Sequence, residues 1–200
     1  MEEQMVVRVV ANEVSCGVPL LLSPSWDEAE GVQVSLRLNH DSKYLTVHFS
    51  VVEKQLRRMC TNHNDPVFTD SCVEVFLQKQ GEAEYVNFEF SASGKVLVGR
   101  GTGRHGRTLF PLSFIEQIPV TVAILENTLE QSFWKLDASL DLSLFGLCDE
   151  GQDFSSLQLR GNFYKCGDGL KQPHYLSYGP IGTLKPDFHT PSFFVPIVLE

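Results

Sequence analysis

Period-two alternation of apolar residues recurs along this chain, and it leaves few folds open. Val32, Val34, Leu36 and Leu38 alternate with Gln33, Ser35 and Arg37. After Asn39-His40-Asp41-Ser42, the residues Leu45, Val47, Phe49 and Val51 alternate with Tyr44, Thr46, His48 and Ser50. Successive side chains of a strand point to opposite faces, so each run predicts a strand with one buried face. The polar tetrad between them supplies turn chemistry, and the two runs together predict a hairpin. Further strands are expected at Met5–Val10, Asp70–Phe76, Tyr85–Phe90, Lys95–Val98, Val120–Leu125, Phe133–Ser139, Gln158–Tyr164 and Phe193–Leu199. Turn signals about every 8–12 residues fit an all-β fold. The expected form is a two-sheet antiparallel β-sandwich of jelly-roll or immunoglobulin-like architecture, with little helix and long C-terminal loops. Cys16–Trp26 and Cys60–Thr69 read as loops, and Val52–Met59 and Asp141–Phe145 as short helical turns. With 200 residues and 42% hydrophobic content, the chain suits a single domain over 1–200.

The formal charge of −9 argues against a nucleic-acid partner and against binding to anionic membranes. No segment reaches the ~20 apolar residues of a membrane span. The N-terminal Met-Glu-Glu-Gln-Met lacks the apolar run of a signal peptide, which makes a cytoplasmic location the expectation, with export open if a leader preceded it. Cys16, Cys60, Cys72, Cys148 and Cys166 are odd in number with no C-x-x-C pair, so neither a zinc ribbon nor a redox dithiol is expected. Cys72 reads as a small buried residue.

The polar residues on these strands carry the functional reading. Glu74 alternates against Val73, Val75 and Leu77; Asn87 and Glu89 against Val86, Phe88 and Phe90; Arg160 and Asn162 against Leu157, Leu159 and Phe163. If the three strands pair, Glu74, Asn87, Glu89, Arg160 and Asn162 share one sheet face. Carboxylates, amides and guanidinium groups match the donor and acceptor hydroxyls of a sugar. A solvated outer face or an Arg160–Glu ion pair would produce the same pattern. Two carboxylates on one face also admit a glycan hydrolase built on Glu74 and Glu89. Such a pair flanks the scissile bond at roughly 5–9.5 Å, but Arg160 nearby would lower a carboxylate pKa where a general acid needs it raised.

Gly101-Thr102-Gly103-Arg104-His105-Gly106 matches a dinucleotide-binding fingerprint, yet Pro111 follows within five residues and no helical pattern opens. The match reads as accidental, in a tight basic loop. Arg104, His105 and Arg107 of that loop are candidates to close over a ligand, and Asp70, at the entry to the central strand, and Lys165 join the candidate ligand-binding set. Phe68, Trp26, Trp134, Tyr164 and Tyr178 are candidate sugar platforms, although core packing is the commoner role for any one of them. Asp168 and Asp187, in the irregular tail, are weak calcium candidates. No G-x-S-x-G elbow supports Ser/His/Asp catalysis.

Phe68-Thr69-Asp70-Ser71-Cys72-Val73-Glu74-Val75-Phe76, Asn87-Phe88-Glu89-Phe90, Gly103-Arg104-His105-Gly106-Arg107, Gly161-Asn162-Phe163-Tyr164-Lys165-Cys166-Gly167-Asp168 and Pro186-Asp187-Phe188-His189 resemble the family 9 type of carbohydrate-binding domain, one of the DOMON-like β-sandwiches. The resemblance runs from about Val32 to the C-terminus. It implies non-catalytic binding of a mono- or oligosaccharide, often at a chain end, held between aromatic rings over charged and amide side chains. Phe68 stands at the loop aromatic, usually Trp, that precedes the Asp70-Ser71 strand entry; Glu74 matches the strand glutamate and Asn162 the late-strand amide. Tyr164 and Lys165 stand where the second aromatic is expected. The resemblance further implies a role in carbohydrate catabolism, admits a glycoside hydrolase partner, and admits structural calcium with no other cofactor. A protein-interaction module that has lost its ligand is the third reading of the same fold.

Overall fold

The computed structural model describes residues 5–11 and 18–200. The N-terminal Met-Glu-Glu-Gln, Cys16, and the start of the loop expected at Cys16–Trp26 lie outside the described residues. The chain forms strands β1 (Val7–Val9), β2 (Leu20–Leu21), β3 (Ser23–Pro24), β4 (Gln33–His40), β5 (Tyr44–Glu53), β6 (Cys72–Lys79), β7 (Tyr85–Ser91), β8 (Val96–Gly101) and β9 (Thr108–Leu109). A short helix α1 (Leu112–Ile115) follows, then β10 (Val120–Asn127), β11 (Ser132–Asp141), β12 (Gln158–Cys166), β13 (Leu176–Ser177) and β14 (Val195–Leu199).

These strands make two sheets. One runs β1-β14-β12-β6-β7-β8-β9, with β13 beside β12 and β3 beside β13; the other runs β10-β11-β5-β4-β2. Apart from β1, which lies parallel to β14, the strand pairs are antiparallel. The alternating apolar residues meet between the sheets. Val34, Leu36, Leu45, Val47, Phe49 and Val51 face Val73, Val75, Leu77, Val86, Phe88 and Phe90 in one core. The sandwich is as expected.

The first sheet is unusual in being covered on its second face as well. β6 is buried along nearly all its length and β7 throughout. The cover is the tail from residue 167 to 194, which packs Ile181, Phe188 and Phe194 against Cys72, Phe76, Tyr85 and Tyr164 in a second apolar cluster. Both sides of the central strands are therefore dry. Gly161 is required where β12 passes between β6 and β14, since a Cβ there would lie 2.3 Å from the Phe76 carbonyl oxygen.

Three local expectations are corrected. Residues 54–59 form no helical turn, because their backbone donors and acceptors are bound by the entry to β6. Arg57 N–H donates to Ser71 Oγ, Ser71 N–H to the Arg57 carbonyl, and Met59 N–H to the Asp70 carboxylate. Part of the expected Cys16–Trp26 loop pairs as β2 and β3. Residues 142–146 form a turn rather than a helix: Asp141 Oδ1 accepts from the Ser143 and Leu144 N–H groups, and Gly146 closes it at φ +64°. The glycine-rich segment opens no helix, as expected; β8 simply extends to Gly101 and turns into β9.

Candidate functional site

Register places the polar residues of β12, β6, β7 and β8 in rows across the covered face. Tyr164, Glu74, Glu89 and Leu97 are successive cross-strand neighbours in one row. Asn162, Phe76, Asn87 and Gly99 make the next row, and Cys166, Cys72 and Ser91 the row on the other side. The shared face expected from alternation is thus present, but its members have different fates.

Glu74 and Glu89 form the floor of a cavity of about 190 Å³. Its walls come from Phe68, from Arg104 and Arg107 of the basic loop, from Asp168 and Tyr175, and from Pro186 to His189 of the tail. Phe68 precedes β6 in a short 3-10 turn and is 37% exposed at the rim. Opposite the floor, Phe188 stacks on Tyr164 with ring centroids 4.2 Å apart and an interplanar angle of 9°.

Burial dominates the electrostatics of the floor. Burial and the adjacent Glu89 charge raise the Glu74 carboxyl well above the usual carboxylate range, and the Cys166 thiol, donating to Glu74 Oε1 at 3.0 Å, opposes them. Burial likewise lifts Glu89 to about 7, although Arg107 Nη1 stands 3.3 Å from its Oε1. Asn87 Nδ2 donates to the same Oε1 at 3.0 Å, while Glu89 Oε2 and Asn87 Oδ1 are buried without a partner. Arg104 Nε donates to Asp187 Oδ1 at 3.2 Å, and burial raises the Asp168 carboxyl. His189 is pushed down to about 3 by burial and by the Arg107 charge, so it is neutral where it meets the Tyr85 hydroxyl at 2.7 Å. The floor therefore offers acceptors and the rim offers guanidinium donors, around a small cavity.

Several residues expected in the site hold the fold instead. Asp70 is fully buried and accepts from Met59 N–H, Cys60 N–H and Ser91 Oγ–H, with Arg57 at 2.5 Å; it anchors the segment before β6. Asn162 is fully occupied by the Gly179 backbone, donating to its carbonyl and accepting from its N–H. Arg160 donates to the Phe194 carbonyl. Lys165 points to the opposite, inter-sheet side, 3.0 Å from Glu53 and 2.9 Å from His174. Tyr164 lies beneath Phe188 and reaches no solvent. Asn87 supports Glu89 from behind, and His105 is exposed on the loop outside the cavity lining. Of the other aromatic candidates, Trp134 is core, bonded to Glu53, and Trp26 packs against Phe188 from outside.

Phe188, His189, Tyr175 and Pro186 were not singled out as cavity residues, because an irregular tail has no period from which to read a face. A larger groove of about 850 Å³ runs between Lys54–Leu56 and Leu170–His174. Its Lys54 is paired with Glu30 at 3.1 Å. Asp168 lines the smaller cavity and Asp187 lies at its rim. Among the described residues, the converging set of metal-ligating side chains is Cys72, Glu74 and Cys166, which two thiols make unsuitable for an oxygen-seeking cation, and Asp187 is engaged by Arg104.

No curated protein matches the chain. Among solved structures, a protein from Bacteroides uniformis provisionally assigned to carbohydrate binding shares 26% identity over 99% of each chain, with a TM-score of 0.83. Two structures of a family 9 carbohydrate-binding module from Caldicellulosiruptor kristjanssonii show the same fold. The one bound to cellotriose has a TM-score of 0.64 at 11% identity, covering 98% of this chain and 94% of that one. The one bound to glucose has 0.57 at 13%, covering 99% and 96%. The model of carbohydrate-binding family 9 matches residues 20–199, so the chain belongs to that family.

Proposed function

We infer that this domain binds carbohydrate without catalysis, holding one terminal sugar ring in the cavity over Glu74 and Glu89. The observation that carries the reading is the floor itself: two carboxylates on adjacent strands at the bottom of a 190 Å³ cavity rimmed by Phe68 and two arginines. The space is well below the ~300–1,000 Å³ of sites for larger ligands, which favours a monosaccharide or the end of a chain over an internal stretch. Phe68 presents an apolar ring surface and the largely buried Phe188 an apolar wall, Glu74 and Glu89 accept from hydroxyls, and Arg104 and Arg107 donate. The solved relatives carrying glucose and cellotriose support the ligand class. A hydrolase would need its two carboxyls on opposite sides of the scissile bond. Glu74 and Glu89 instead stand side by side on one sheet face, and no observation favours that reading. A glycoside hydrolase as a partner, and a role in carbohydrate catabolism, rest on the family alone.

The test is isothermal titration with glucose and cello-oligosaccharides, with and without calcium. The expected result is saturable binding, equal in both buffers, and weakened at least tenfold by Glu74→Gln with unchanged circular dichroism. Absence of binding to every neutral sugar on a glycan array would overturn the reading and leave a protein-interaction module.

A further inference from the structure

Beside Glu74 at the cavity floor stand two cysteines to which sugar binding assigns no role. Cys72 and Cys166 are direct cross-strand neighbours on β6 and β12, and Glu74 is two residues along β6 on the same face. Their ligand atoms, two sulfurs and a carboxylate oxygen, all lie within 4.8 Å of one another. We propose that Cys72, Cys166 and Glu74 form a binding site for a thiophilic divalent cation of the zinc type, reached through the sugar cavity.

The geometry supports this in three ways. Donor atoms around a tetrahedral ion with bonds of ~2.0–2.3 Å stand roughly 3.3–3.8 Å apart, so small side-chain rotations on a fixed sheet close the trio. Register of the two central strands fixes all three positions, so they are held by the most deeply buried part of the molecule. Cys166 and Glu74 line the cavity while Cys72 lies behind them, giving the ion an entry path and leaving its fourth position toward the ligand space. Two sulfurs with one carboxylate select zinc-like or cadmium-like ions over calcium or magnesium.

Without an ion the two thiols are held protonated. Burial lifts the Cys72 thiol to about 12, and the Cys72 side chain and burial raise Cys166 further from its usual value. Uptake of a dication therefore forms two metal–sulfur bonds as two thiol protons leave to solvent, with a third proton lost if Glu74 carries one. Two thiolates and a carboxylate leave the loaded site with one net negative charge, facing Arg107 across the floor.

The experiment is cobalt titration of the reduced full-length protein, followed by absorption spectroscopy. The expected result is one equivalent bound with a sulfur-to-cobalt charge-transfer band and the strong visible bands of a tetrahedral site. C72S and C166S should each abolish the charge-transfer band, and E74Q should weaken affinity at least tenfold. Should the cysteine variants fail to fold, X-ray absorption of the zinc-loaded wild-type protein decides the matter without them, and two sulfur ligands per zinc are expected. The proposal is overturned by no uptake at tenfold excess cobalt, by a band that survives C72S and C166S and so belongs to Cys16, Cys60 or Cys148, or by a zinc shell of oxygen and nitrogen only. None of these results depends on whether sugar binds.

Discussion

His174 is expected to tie the stability of this domain to acid pH. It lies on the segment that carries Asp168 and Tyr175 into the cavity, and it is 7% exposed. Its Nε2 faces the Lys165 ammonium at 2.9 Å, with Glu53 at 3.5 Å. An ammonium can only donate, so Nε2 must accept and the ring must be neutral. Burial, then the Lys165 charge, pushes the pKa from 6.5 down to about 4. The sign follows from proton linkage: below pH 6.5 the unfolded chain takes up a proton that the folded one refuses. The stabilisation is therefore complete above pH 6.5 and lost as pH falls, by about 2 kcal/mol at pH 5 and about 3 kcal/mol at pH 4. His189, also held neutral, loses stability in the same direction. The two are separated by comparison with His174→Gln, whose amide oxygen still accepts from Lys165 but cannot take a proton. Urea melts at pH 7.5 and pH 5 are the assay. The wild type should lose about 2 kcal/mol more than the variant on this step. Parallel losses in the two proteins would refute the reasoning, because His174 would then be protonated in the fold and the proton would sit between Lys165 and Glu53.

Two further substitutions test the frame and the wall. Asp70→Ala removes the acceptor of the Met59 and Cys60 N–H groups and of the buried Ser91 hydroxyl, and should cost about 3 kcal/mol in chemical denaturation. The Asp70 carboxyl is pulled up by burial but held below its usual range by those same donors, so this contribution fades only in strong acid. Phe188→Ala removes the ring stacked on Tyr164 and opens the cavity wall; sugar affinity should fall at least tenfold in titration calorimetry, with a loss of stability of about 3 kcal/mol.

The two-sheet frame was legible because alternation is a strict signal where one face is buried. Val34 to Leu38 and Leu45 to Val51 have no other satisfactory placement. Glu74 and Glu89 were legible for the same reason, as charges on strands otherwise apolar. What alternation could not separate was a residue on the shared face from a residue in the cavity. Asn162 and Arg160 lie on that face, but their side chains are consumed by the Gly179 and Phe194 backbones, which irregular segments bring there. Lys165 misled because it sits beside Tyr164 in sequence, and adjacent strand residues point to opposite sides of a sheet. Residues 54–59 misled because a locally helical composition was outcompeted by Asp70, a single carboxylate that binds that stretch of backbone.

The Phe188–Tyr164 stack has a kinetic corollary. The cavity floor belongs to hairpin-linked strands β6 and β7, whereas its far wall meets Tyr85 through His189, 104 residues along the chain. Contacts of such separation are among the slowest to form. The floor can assemble early while the tail is still searching, leaving Phe76, Tyr85 and Tyr164 wet. Competence to bind ligand should then emerge only with the slowest refolding phase, after most β-structure is in place. A ligand added during refolding would act as a latch on the last-docked segment, slowing its release without hastening the formation of the sandwich.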